Sequence, residues 1–360
     1  MRILHVETGM HLYGGAQQVA YLLDGLARRG VDNVLVCPPG AAIGKKFRGS
    51  EVEVVEVPCG GDADLGFIFR LRRVIASERP RLVHLHSRRG ADVLGGLAAR
   101  LAGVPAVLSR RVDNPEAAWW ARLKYRQYAR VICISEGIGT VLRDEGVDPQ
   151  CIRVVRSVVD APAWTTPAPR AEFHAEFGLP ADRPVAGVVA QLIERKGHRV
   201  LFEALARIRP ERRPFVVCFG QGPQREALDA EVARLGLSAD VRFAGFRSDL
   251  PRWMGCLDLL VHPAWMEGLG VSLLQAAAAG VPIIASRAGG MPEAVRDGEN
   301  GLLVPPGDIG ALQAALERLL GDEGLRLRLA QGGPALIARE FSIDAMVDGN
   351  LAVYRELLAS

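Results

Sequence analysis

The chain has 360 residues, enough for two domains, and is 49% hydrophobic and 24% charged. That composition excludes a disordered chain, a collagen-like repeat and a disulfide scaffold. Lys and Arg number 44 against 41 Asp and Glu, and the net charge of +3 is too small for a nucleic-acid coat, so no nucleic-acid partner is expected.

The opening MRILHVETG breaks its apolar run at His5, Glu7 and Gly9, so no export signal is expected. Apolar runs at 3–6, 33–37, 52–57, 82–86, 106–109 and 131–134 read as strands. Helical patterns such as Ala16–Arg29, Ala91–Ala102 and Glu136–Glu145 lie between them. This alternation means βαβ crossovers and a parallel sheet covered on both faces. Cys37, Cys133 and Cys218 close apolar runs and read as buried thiols, as a reducing cytoplasm permits. No Cys/His cluster has zinc spacing.

After the first strand, Gly14 and Gly15 open the first helix. They are either a plain βα turn or an anion-binding one. Asp62–Ala–Asp64 has the D-x-D form of a metal–nucleotide site and is read as coincidence. His84 and His86 share one face of a strand; His84 reads as packed, and His86, at the strand's end, could line a cleft. Residues 110–130 hold six basic, two acidic and four aromatic residues. With a helix from Glu116, Trp120, Lys124 and Tyr128 form one stripe. Two readings stay open: weak docking on an anionic membrane, or aromatics packed on the sheet with the charges in water.

Asp160–Arg170 carries Pro162, Pro167 and Pro169, which reads as a linker. The strand rhythm restarts at 185–190, 214–219, 241–245, 257–262, 281–286 and 301–304, and helical segments follow at 308–320, 323–338 and 343–358. Gly268 to Ser286 is uncharged for 19 residues, but Gly280 and Pro282 interrupt it, so no membrane span is expected. The expected fold is α/β: two doubly wound parallel-sheet (Rossmann-like) domains facing a cleft, with ligands at the strands' carboxyl ends. The boundaries fall at 1–165 and 166–342, with a final helix at 343–360 expected to return to the first domain. Residues 1–165 carry a net +6 and the remainder a net −3.

Three stretches of the second half point to an anionic ligand. Arg195 and Lys196 follow a strand and precede a helix, the positive end of its dipole, where cations are disfavoured unless an anion joins them. Gly220–Gln–Gly222 begins like a dinucleotide fingerprint, but Arg225 stands at the third glycine, so a nicotinamide site is not expected. Glu267 sits at a strand's carboxyl lip. Gly268, Leu269 and Gly270 then lead into a helix, and Gln275 lies on its first turns.

With GGAQ (14–17), ISEGI (134–138), RKG (195–197), GQGPQRE (220–226), AGF (244–246) and the run 267–308, the chain resembles the GT-B glycosyltransferases of family 4. These are the retaining "glycosyl transferases group 1". The resemblance implies a nucleotide-sugar donor on the second domain. It also implies retention of anomeric configuration and no divalent metal or other cofactor. Arg195 and Lys196 would stabilise the leaving diphosphate, and Glu267, the first Glu of the family's E-x7-E motif, would contact the donor sugar. Gly268, Leu269, Gly270, Gly222, Gly14 and Gly15 would line the phosphates, with Phe246 and Arg247 near the nucleobase. Three departures bear on donor and acceptor chemistry. Gln275 replaces the second Glu, Ala190–Gln191 replaces the usual Gly–Arg, and Ser109–Arg110–Arg111 stands where many members have a His. His86, Arg110 and Arg111 are candidates on the acceptor side. The implied acceptor is carbohydrate or lipid-linked, a cell-surface polysaccharide or lipopolysaccharide precursor, met in the cytoplasm or at the inner face of the membrane. A non-catalytic nucleotide-sugar binder and a nucleotide-sugar epimerase are the alternatives.

Overall fold

Apolar runs without polar alternation form strands buried on both faces. In the computed structural model, which describes every residue except Tyr13, Arg89 and Ser360, these strands build two parallel sheets. The first holds β1 (Arg2–Val6), β2 (Asp32–Cys37), β3 (Glu53–Glu56), β4 (Leu82–Leu85), β5 (Ala106–Arg110), β6 (Arg130–Cys133) and β7 (Ile152–Val154), in the order β3-β2-β1-β4-β5-β6-β7. The second holds β8 (Val185–Val189), β9 (Phe215–Phe219), β10 (Val241–Gly245), β11 (Leu259–His262), β12 (Ile283–Ser286) and β13 (Gly301–Val304), in the order β10-β9-β8-β11-β12-β13. β7 escaped the sequence reading because it is three residues long and pairs only with β6.

Both sheets start in the middle. The chain steps outward from β1 through β2 to β3, then returns to place β4 on the other side of β1. It does the same at β8 and β11. At such a reversal the loops after the two central strands leave in opposite directions, and a crevice opens at their carboxyl ends.

The sheets belong to two units, Met1–Val158 with Ile343–Ser360, and Val159–Ser342. The last helix, Ile343–Leu358, buries Met346, Val347 and Leu351 with Leu22 and Leu26 of the first helix, Gly15–Ala27. A side chain at Gly25 would come within 2.4 Å of Val347, so the glycine permits this close crossing. Arg29 pairs with Asp344 and Asp348 at the rim.

The proline-rich segment is not a free linker. Trp164 is buried, Ala168 N donates to the Arg252 carbonyl, and Cys256 Sγ donates to the Ala168 carbonyl. Burial of one large ring therefore folds residues 159–170 into the second unit and moves the boundary from 165/166 to 158/159. Cys37, Cys133 and Cys218 are free, buried thiols. No helix among the described residues is long and apolar enough to cross a membrane.

The first unit's main segment ends where buried Gln18 grips Val158: Gln18 Nε2 donates to the Val158 carbonyl (2.9 Å), and Val158 N donates back to Gln18 Oε1 (2.8 Å). Gln18→Leu would leave both backbone groups unpaired in the interior. Urea unfolding of the variant should show a loss of about 2–4 kcal/mol. An unchanged midpoint would mean that water replaces the side chain.

Candidate active site

Two loops meet beside the reversal of the second sheet. Gly197 has φ +71°, and a Cβ there would lie 1.9 Å from the Pro263 carbonyl oxygen. Only glycine lets the loop after β8 rest on the loop after β11. Trp265 N donates to the Arg195 carbonyl at 2.8 Å and ties the same loops again. This contact brings the buried Lys196 ammonium into an ion pair with Glu267. His262, the last residue of β11, places Nε2 3.1 Å from the same Glu267 oxygen.

Burial alone would raise the Glu267 carboxyl. The His262 hydrogen bond and the Lys196 charge outweigh it and hold Glu267 far below the usual carboxylate range. Burial lowers the His262 pKa as well. A neutral His262 donates from Nε2, which leaves Nδ1 an acceptor with no partner among the described residues. His262 is a site residue the sequence reading missed: five positions separate it from Glu267, and only the turn of the loop brings the side chains together.

Gly270, with φ +88°, opens the helix Val271–Ala278, and Gly290 N donates to the Glu267 carbonyl at 2.9 Å. Leu269 is buried, and Gln275 is partly exposed in the second turn. Gly222 packs on the backbone of Leu192: a Cβ would lie 2.4 Å from the Leu192 oxygen, so this glycine locks the loops after β8 and β9 together. Phe246 is 54% exposed. Arg247 is tied down by Asp249 (2.7 and 2.6 Å) and Glu176 (2.7 Å) and lies over the rings of Phe177 and Trp253. Its guanidinium holds the loop that presents Phe246.

In the first unit, the loops after β1, β4 and β5 enclose a cavity of about 570 Å³, lined in part by Glu7, Gly15, His86, Arg88, Arg110 and Arg111. Gly14, with φ +56°, caps the helix that begins at Gly15, and a Cβ at Gly15 would touch Arg111 Cδ at 3.4 Å. Burial brings the Arg111 guanidinium down to about 10, against the pull of Glu7. Arg110 is buried; it donates to the Asn114 carbonyl and lies 3.3 Å from Glu116.

Behind this cavity runs a hydrogen-bond chain. Asn33 Nδ2 donates to the Val31 carbonyl (2.7 Å), so its Oδ1 faces His5 Nε2 (3.2 Å), which donates. Burial holds His5 at about 4, so the ring is neutral and its Nδ1 accepts from His86 Nε2 at 3.1 Å. His84 is held between Tyr354 Oη (2.5 Å) and Ser109 Oγ (2.9 Å). His5, His84 and His86 bring ring nitrogens within 4.8 Å of one another, a metal-like grouping; hydrogen bonds engage both nitrogens of His5 and His84, and His86 keeps Nδ1 without a partner among the described residues. Histidines 79 and 81 positions from His5 could be joined to it only by the pairing of β1 with β4.

Of the stripe, Lys124 and Tyr128 are buried and Trp120 is partly exposed. In the helix Ala118–Tyr125, Lys124 is 2% exposed and pairs with Asp92 (2.6 Å) and Glu116 (3.0 Å). Tyr128 is buried, and its hydroxyl donates to the Asp92 carbonyl. The exposed residues of this segment include Trp119, Arg122, Leu123 and Arg126. Buried carboxylates neutralise Lys124, which is why a lysine can lie on the packed face.

Glu267→Gln should remove the partner of a buried ammonium and cost about 3–5 kcal/mol at pH 7. The Glu267 pKa is depressed on folding, so its stabilisation is full above about pH 4.3 and declines as pH falls toward the folded value. Between pH 5 and 3, wild type should therefore lose more stability than the variant; parallel curves would contradict the assignment.

Residues 169–335 match the family described as glycosyl transferases group 1, and residues 13–157 match the glycosyl transferase 4-like domain. The chain is 29% identical over its whole length to the lipopolysaccharide core biosynthesis glycosyltransferase LpsE of Rhizobium meliloti, 99% of which is covered. It is 35% identical to a D-inositol 3-phosphate glycosyltransferase of Salinispora arenicola, over 78% of this chain and 69% of that one. Its fold matches Anabaena HepE in complex with UDP and glucose, with a TM-score of 0.86 at 21% identity, over 99% of this chain and 100% of that one. With two parallel-sheet units in the GT-B fold and both family halves present, the chain belongs to the group 1 glycosyltransferases of family 4.

Proposed function

We propose that this glycosyltransferase moves a sugar from a nucleotide-sugar donor to a carbohydrate acceptor with retention of anomeric configuration. The observation that carries the reading is the Lys196–Glu267–His262 cluster at the reversal of the second sheet. A donor diphosphate gathers negative charge as the sugar leaves. Arg195 and Lys196 supply cations fixed before the reaction, which is the arrangement that stabilises developing charge best. They give the reaction its counter-charge without a divalent metal. On donor binding, Lys196 exchanges Glu267 for phosphate oxygens and leaves the carboxylate free to accept hydroxyls of the donor sugar. Gln275 offers the ribose a neutral hydrogen-bonding amide, and Phe246 offers the base an exposed ring. The UDP and glucose in Anabaena HepE support a UDP-sugar as the first donor to test.

The acceptor side is the cavity of the first unit. Arg88, Arg110 and Arg111 line it with Glu7 and Asp92, and the excess of one cation suits a carbohydrate carrying negative charge. The similarity to LpsE supports a lipopolysaccharide core or related cell-surface precursor. Such acceptors sit at a membrane, and the exposed Trp119 and Leu123, flanked by Arg122 and Arg126, suit an anionic headgroup layer.

Lys196→Ala strands the buried Glu267 carboxylate and should cost about 3–5 kcal/mol of stability; assayed where the variant is folded by circular dichroism, it should also lose kcat/KM by the equivalent of about 1.5–3 kcal/mol, tenfold or more. Wild-type activity in the variant would overturn the assignment, and NMR of the first-formed product anomer tests retention. Slow donor hydrolysis by wild type separates a transferase from a passive binder. For the membrane, a Trp119→Ser/Leu123→Ser variant should lose co-sedimentation with anionic vesicles at low salt. Equal sedimentation of variant and wild type would rule out docking through this face.

A further inference from the structure

The first unit holds a second cavity, of about 560 Å³, lined by Asp62, Arg88, Gly90, Asp92, Val93, Glu116, Trp120 and Lys124. Arg88 and Asp92 stand in the walls of both cavities. The fold builds this second space deliberately. Gly90 has φ +81°, and a Cβ there would lie 2.5 Å from the Gly61 oxygen and 2.8 Å from Asp62 Cα. That close approach sets Asp62 at the cavity. Asp64, the other half of the D-x-D, instead pins the loop, accepting from Gly60 N (2.7 Å) and pairing with Arg70.

The lining selects a ligand class. Asp62, Asp92 and Glu116 are balanced by Arg88 and Lys124, with Arg110 3.3 Å from Glu116. A charge-balanced wall favours neither an anion nor a cation. Both oxygens of Glu116 are engaged, by Lys124, Arg110 and the Tyr125 hydroxyl. Asp92 gives Oδ2 to Lys124, which holds the side chain in place and leaves lone pairs to spare. Trp120 is partly exposed and packs edge-on against Trp119. A held carboxylate, Asp92, beside Trp120 matches a pyranose, whose hydroxyls donate in its plane and whose C–H face is apolar.

We propose that this cavity is a second sugar subsite, taking the acceptor ring next to the terminal one, with Trp120 as its platform and Asp92 and Asp62 as its hydroxyl acceptors. The inference rests on the reading of the neighbouring cavity as the acceptor site. It makes the natural acceptor an oligosaccharide of at least two rings, and it accounts for the inward face of the helix Ala118–Tyr125: Lys124 and Glu116 hold the subsite's charges in place.

The test is binding by the full chain of methyl hexopyranosides (gluco, galacto, manno) and of the corresponding disaccharides, followed by ligand-observed NMR and tryptophan fluorescence. At least one disaccharide should bind about tenfold tighter than its one-ring counterpart, the factor that 1.4 kcal/mol represents. Trp120→Leu should abolish that gain, and Trp120→Phe, which keeps a ring, should restore part of it. Equal affinity for one and two rings in wild type, or a gain that survives Trp120→Leu, overturns the subsite alone. A wild type that binds no glycan overturns the acceptor-site reading together with it.

Discussion

Everything chemical in this protein is placed by one constraint: a parallel sheet whose chain starts in the middle must reverse direction beside its first strand. Right-handed crossovers force the loops after the two central strands apart. In the second sheet the strands are β8 and β11, and their loops carry Lys196 and Glu267. In the first they are β1 and β4, and their loops carry the Gly14–Gly15 turn and His86. The same topological step made twice yields one crevice at the strands' carboxyl ends in each unit.

What fills these ends is charge held in reserve. Lys196 and Glu267 satisfy each other, and His262 supplies the second hydrogen bond that keeps the carboxylate ionised in a buried place. A buried pair of this kind adds little net stability, because desolvation offsets attraction, but losing one partner is costly. That asymmetry suits a site that trades one anion for another. The first unit repeats the principle with Lys124, Asp92 and Glu116. There Arg88 and Arg110 complete the balance around Glu116.

Glycines act as spacers at these ends. Gly197 against Pro263, Gly222 against Leu192 and Gly90 against Gly61 each allow a backbone approach that any side chain would block. All three lie where loops from different strands meet, so their role is to set distances between side chains far apart in sequence. Arg247 shows the complementary case: a cation in a motif that is held by Asp249 and Glu176 through three hydrogen bonds and so shapes the loop.

The order of local elements could be read from the chain by itself, because strand burial and helical periodicity are written in consecutive residues. So could the two-unit α/β architecture, the glycine turns, and Arg195, Lys196 and Glu267 as candidate site residues, since motif spacing survives in one dimension. Tertiary structure alone decided what depends on distance across the fold. The burial of Trp164 ended the first unit's main segment at Val158 instead of Thr165. The turn after β11 brought His262 onto Glu267, and the β1–β4 pairing joined His5 to His86. The stripe of Trp120, Lys124 and Tyr128 was visible as a periodicity. Periodicity cannot say which face of a helix is inside when that face carries a lysine, and only the carboxylates of Asp92 and Glu116, from elsewhere in the chain, make its burial affordable.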